Sequence, residues 1–201
     1  MKKGRLEAFS DGVVAIIITI MVLELKIPEH GNDWKALAPM LPFFLSYVLS
    51  FVNVGIYWNN HHHMFYLVSN ITGGALWANL NLLFWLSLIP FGTGWMANNH
   101  FASVPVAVYG GILIMCGASY ALLSGILISH CGKNSELAQA IGKDWKGKLS
   151  VVIYAAAVAI AFKLPLVSCA LYVVVACMWF IPDRRIEKVV ASPKSSPGER
   201  T

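Results

Sequence analysis

Apolar residues run along this chain in blocks of membrane length, separated by short polar breaks, and the blocks predict helices. The first block is Phe9 to Ile27, closed by Pro28. At 1.5 Å per residue it crosses roughly 28 Å, enough for a hydrocarbon core. A polar loop of nearly balanced charge, Glu29 to Lys35, leads to a second helix from about Pro42, or as early as Pro39, to Val68. The third span is Ala75 to Ala97, passing through Ser87 and Pro90, and the fourth is Val104 to Ser129. Leu149 to Ile181 is then apolar apart from Lys163. As one helix it would reach roughly 50 Å, far more than a bilayer needs. Lys163-Leu164-Pro165 therefore reads as a tight turn between a short fifth span and a sixth.

Composition agrees with this pattern. Of 201 residues, 57% are hydrophobic and only 12% charged, and the mean hydropathy is +0.64. A soluble domain carries about twice that charged fraction. The expected fold is thus an all-α integral membrane protein with six transmembrane helices in residues 1–181, followed by a basic, disordered tail at 182–201 rich in Ser and Pro. The opening MKKGRLEAFSDG has the look of a signal-peptide n-region. However, Glu7 and Asp11 follow it and no small-x-small cleavage site comes after the apolar run, so it reads as a retained first span.

Charge fixes the expected orientation. The net charge of +5 lies in loops and tails beside spans, so it argues topology and not nucleic-acid binding. With six spans, one side receives Lys2, Lys3, Arg5, the basic loop His130 to Lys148, and Arg184, Arg185 and Lys188. The positive-inside rule then puts both termini in the cytoplasm, whereas five spans would place Arg184 and Arg185 outside.

That topology gathers the polar intramembrane residues at one depth. Arg5, Ser10 and Asp11 begin span one, His61, His62 and His63 lie near the end of span two, and Asn79 and Asn81 begin span three. Polar groups in lipid persist where they pair or line water, so a polar cluster bracing the base of span one is expected. Consecutive helical residues point 100° apart, so three histidines in a row cannot chelate one ion from one helix, and no metal site or cofactor is expected. The four cysteines show no CxxC spacing.

On a helical wheel, Gly12, Ile16, Ile20, Leu23 and Ile27 share one face of span one within about 40° of its centre, with Thr19 about 60° away. Asp11 points well away from that face. Copies of this helix around an axis would wall a pore with branched aliphatics and a ring of threonines, gated by dewetting. By periodicity alone, an ordinary core helix whose Thr bonds its own backbone is the commoner arrangement.

Arg5-x-x-x-Phe9-Ser10-Asp11 at the start of the first span resembles the signature of the lysosomal potassium channel family known as transmembrane protein 175, in its prokaryotic branch. The likeness extends through Leu23-Glu24-Leu25 and Pro28, the Trp58 to Phe65 segment with its histidines, and Ser87-Leu88-Ile89-Pro90-Phe91. The resemblance implies a homotetramer in a prokaryotic plasma membrane, conducting potassium ions along the axis between four first helices, without a re-entrant filter. It places the constriction at Ile16, further pore positions at Ile20 and Leu23, and the hydroxyl linked with potassium preference at Thr19. It makes Arg5, Phe9, Ser10 and Asp11, with His61, His62, His63, Asn79 and Asn81, a structural brace. Which histidine joins that brace is open.

Rival readings are weaker. Val108-Tyr109-Gly110-Gly111 loosely matches a potassium filter, but it opens a span, where its small residues serve close helix packing. A secondary transporter should show discontinuous helices and internal repeats; a histidine-based metal or haem protein should carry a chromophore. No nucleotide loop or Ser-His-Asp order appears, so no enzyme is expected.

Overall fold

The computed structural model describes residues 2–25, 27–28, 33–132, 134–142 and 144–180, all helices and connecting turns. The expected tail at 182–201, with Arg184, Arg185 and Lys188, lies outside the described residues. So do residues 29–32, 133 and 143 of the polar loops.

The first helix, α1 (Lys3–Leu23), starts two turns before the apolar block does. The extension is amphipathic: Leu6 continues the buried row Ser10, Val14, Ile17 and Met21, and Lys3 pairs with Glu7 one turn on at 3.8 Å. At the other end the helix stops short of the expected Ile27. Glu24 and Leu25 close it with tight turns onto Met21 and Val22, because a residue before proline is driven out of the helical region and Ile27 precedes Pro28. Ile27 therefore leaves the helix, and its wheel position has no meaning.

A 3₁₀ turn (Trp34–Met40), capped by Asp33, feeds directly into α2 (Leu41–Tyr66). The expected third span is broken in two, α3 (Gly73–Ser87) and α4 (Ile89–Asn98). Pro90 has no N–H to donate and its ring crowds the preceding turn, so the ladder fails at Leu88. The chain then runs on as α5 (Ser103–Cys131), a short α6 (Glu136–Ile141), α7 (Trp145–Ala161) and α8 (Pro165–Phe180). The turn at 162–164 that separates the last two is the one the sequence demands.

Among the described residues, four helical segments are long and apolar enough to cross a membrane: Lys3–Leu23, Trp34–Tyr66, Gly73–Asn98 and Ser103–Cys131. The protein is a multi-pass membrane protein. Its described helices pack so that α5 lies at the centre, between α3 and α4 on one side and α7 and α8 on the other. The α1 helix packs against α2, α3 and α4 at one flank.

Gly110 allows the tightest packing around α5. A Cβ on Gly110 would collide with the Tyr172 hydroxyl and with Val158 Cγ2 at 2.7 Å, and Tyr172 uses the space to donate a hydrogen bond to the Val106 carbonyl at 3.0 Å. The neighbouring Gly111 meets nothing within 4 Å. Gly110→Ala should therefore destabilise the fold by about 1–3 kcal/mol, the usual cost of overpacking. Gly111→Ala should move it by less than about 0.5 kcal/mol. Denaturation midpoints in mixed micelles of rising SDS content check both.

Candidate functional site

Lipid offers no partner to a polar side chain, so each one must find its own. Three helices solve this problem together. Ser10 on α1 is buried and donates to the Leu6 carbonyl at 2.9 Å. Its oxygen in turn accepts a hydrogen bond from the Asn79 amide of α3 at 2.9 Å. The Asn79 carbonyl oxygen meets His61 Nε2 of α2 at 2.8 Å. With Asn79 using its N–H on Ser10, its oxygen is the acceptor and His61 Nε2 carries the proton. The chain of bonds is closed, and no buried side-chain nitrogen or oxygen among the described residues lacks a partner.

This geometry separates the three histidines. His61 is inward, its ring 4.4 Å from that of Phe65. His62 is exposed and stacks on Trp58 at 6.3 Å, and His63 lies edge-on to His62. Among the described residues no cluster of three or more histidines, cysteines or carboxylates is placed to hold a metal ion. Asp11 accepts a hydrogen bond from the Trp58 indole at 3.0 Å, a second tie between α1 and α2 beside the first.

Other residues of the expected brace stand elsewhere. Asn81, about 200° around α3 from Asn79, faces the other way and donates to Ser119 of α5 at 2.7 Å. It joins α3 to α5 and has no part in holding α1. Arg5 and Phe9 are exposed on the single chain. The physical reason is the early start of α1: at 100° per residue both fall within about 40° of Ile16 and so on the outward stripe.

The stripe itself is sharply divided from the buried face. Ile16 is 58% exposed, Ile20 45% and Leu23 76%, while the adjacent Ile17 is 3% and Met21 0% exposed. Among the described residues, nothing covers the branched aliphatics of the first group. Thr19 lies on the same side, its hydroxyl donating to the Ile16 carbonyl at 2.9 Å. The hydroxyl proton is thereby engaged with the backbone, which leaves the oxygen lone pairs free to face outward. The ties that turn this stripe outward, Ser10 to Asn79 and Asp11 to Trp58, lie two turns away on α1. Trp58 is a residue that sequence reasoning left unassigned. Its position in the segment with the histidines was the available signal, since an indole N–H in an apolar helix needs an acceptor.

Comparison with known proteins bears on this arrangement. Residues 5–90 match the family model described as the endosomal/lysosomal potassium channel TMEM175. A potassium channel of a Chryseobacterium species is 54% identical over 188 residues, which is 94% of this chain and 97% of that one. The crystal structure of a lysosomal potassium-selective channel TMEM175 homologue from Chamaesiphon minutus superposes with a TM-score of 0.76 at 30% identity, covering 91% of this chain and 97% of the other. The chicken endosomal/lysosomal proton channel TMEM175 is 37% identical over 94 residues, 41% of this chain and 18% of its own length. With matching sequence and fold along nearly its whole length, this chain belongs to the TMEM175 family of channels.

Proposed function

We propose that the protein is a potassium-preferring cation channel whose pore is walled by α1 of each of four subunits. The observation that carries the reading is the uncovered stripe of Ile16, Ile20 and Leu23 on a helix whose opposite face is fully packed. Lipid alone would also tolerate such a stripe. The pore reading adds two things: the relatives are named potassium channels, and a hydroxyl oxygen, Thr19, lies at the same face.

In this arrangement four Ile16 side chains make the narrowest point. A ring of branched aliphatics offers an ion no replacement for its hydration shell, so the constriction gates by wetting and drying. Thr19, one turn on, presents an oxygen whose proton is already committed. Four such oxygens favour a weakly hydrated cation over a strongly hydrated one, which is the sense of a potassium preference. Selectivity built this way is modest, since no ring of backbone carbonyls takes part.

The Ser10–Asn79–His61 chain and the Asp11–Trp58 bond act as the brace that sets the rotation of α1. His61 is the histidine of that brace. Arg5 and Phe9, turned outward, are placed to meet neighbouring subunits near the start of the pore. The helices α7 and α8 form the fifth and sixth spans. The 17 residues of α7 lie at the lower limit of about 17–25 for a span, and α8 runs to the last described residue. Charge distribution then puts both termini in the cytoplasm, and the bacterial relatives named potassium channels support a prokaryotic plasma membrane.

Cation flux into liposomes holding the purified protein is the direct test. Potassium uptake should exceed sodium uptake, and uptake that appears only with an imposed proton gradient would point to a transporter instead. Ile16→Asn should raise the leak and blunt the preference, since a polar ring holds water in the constriction. Thr19→Val should lower the potassium-to-sodium ratio while leaving conduction intact; an unchanged ratio removes Thr19 from the selectivity mechanism. Asn79→Ala leaves His61 Nε2 without its acceptor and Ser10 with only its bond to the Leu6 carbonyl, and should cost about 1–3 kcal/mol. It should reduce the tetramer fraction on size-exclusion chromatography more than it alters the selectivity of whatever tetramer remains.

A further inference from the structure

A second feature of the chain lies away from α1. Between α2, α5 and α7 is a cavity of about 240 Å³, walled largely by apolar side chains. That volume is many times what one water needs. Tyr57, Tyr120 and Tyr154 bring three phenol rings to its wall, the first two edge-to-face at 6.2 Å. Among the described residues the hydroxyls of Tyr57 and Tyr154 make no hydrogen bond, and neither is sealed from the cavity. Both hydroxyls are open to the cavity and so can bond a polar occupant.

The charged end of the cavity is asymmetric. Asp144 and Lys148 both line it, but Lys148 is exposed whereas Asp144 is half-buried. Asp144 caps α7 through the Gly147 amide at 3.1 Å and sits at φ 39°, a left-handed conformation that Asp tolerates better than most residues. Burial raises its carboxyl above the ordinary value, against the pull of the Gly147 amide and of Lys148. A carboxylate at the rim of an aromatic cage fits one ligand chemistry well: a compact cation with an apolar body, its charge facing the acid and the ring faces.

We propose that this cavity is a binding site for small arylalkyl amines. The ammonium sits beside Asp144, and the aromatic body lies among Tyr57, Tyr120 and Tyr154. The site is separate from the α1 stripe and is contained within a single subunit.

The test uses the full chain in lipid nanodiscs and 2-phenylethylamine as probe, with binding read by isothermal titration after subtraction of empty nanodiscs. Saturable binding of one amine per chain is expected. The neutral isostere 2-phenylethanol should bind about tenfold more weakly, the factor that one charge-assisted contact is worth. Asp144→Asn keeps the helix cap and the left-handed conformation, both of which Asn accepts, and should weaken the amine by about the same factor. Gly117→Val fills the cavity, where a Cβ meets only the Tyr57 hydroxyl at 3.6 Å, and should abolish saturable binding. If that variant does not fold, Tyr154→Phe, which removes one hydroxyl and no volume from the wall, should reduce affinity several-fold. Equal affinity for the alcohol, wild-type affinity in Asp144→Asn or in the cavity variant, or non-saturable partitioning alone would overturn the proposal.

Discussion

The arrangement of α1 depends on a polar chain in a solvent that offers polar groups nothing. In water, Ser10, Asn79 and His61 would each have many alternatives to one another, and their bonds would contribute little net stability. In a bilayer the alternative to a partner is an unsatisfied donor or acceptor, costing several kcal/mol per group. Three modest hydrogen bonds therefore become a strong constraint on where three helices stand. Ser10 is the smallest member and the most consequential, because it sets which way α1 faces.

Once Ser10 points inward, the rest of α1 follows from helical geometry. Leu6, Val14, Ile17 and Met21 go in with it, and the row through Ile16, Ile20 and Leu23 is turned out by roughly 120°. Rotation of α1 by one residue would carry Ile17 outward and pull Ser10 away from Asn79. The Asp11–Trp58 bond resists the same motion from the other flank. A helix apolar on every side has no hydrophobic preference for its rotation in lipid, so polar ties decide what amphipathicity decides in a soluble bundle. This explains why the charged and hydroxylic start of α1 matters to an aliphatic stripe two turns away. It also explains why Thr19 need not choose between roles. Its proton completes a bond to its own helix, and its oxygen remains available on the outward side.

Much of the fold was legible because the signals were local. The Lys163-Leu164-Pro165 turn divides the last apolar stretch for backbone reasons that need no tertiary knowledge, whereas the third span, expected to run unbroken through Pro90, divides at Leu88. The start of α1 at Lys3 was less legible, since apolar blocks mark where a helix enters lipid and not where it begins. The end was misjudged for the opposite reason: Ile27 is apolar, but its peptide bond to Pro28 matters more than its side chain. At the site, Ser10, His61 and Asn79 meet, while His62, His63, Asn81, Arg5 and Phe9 stand outside that chain of bonds. Asn81 shares the depth of Asn79 but lies on the far side of α3, and Arg5 and Phe9 share the face of Ile16. Depth is readable from topology, whereas azimuth between neighbouring helices is not.

The sequence by itself determined the medium, the turn at 162–164 and which residues of the first helix share a face, because hydropathy, proline and the 100° step are properties of the chain alone. Only the tertiary structure decided that His61, and neither His62 nor His63, closes the bond to Asn79. It alone joined Trp58 to Asp11, and it alone placed Tyr57 and Tyr154 around a shared cavity. Those outcomes depend on how helices distant in sequence are rotated against one another. In a chain apolar on nearly every helix face, that rotation is set by pairs of polar atoms meeting across helices.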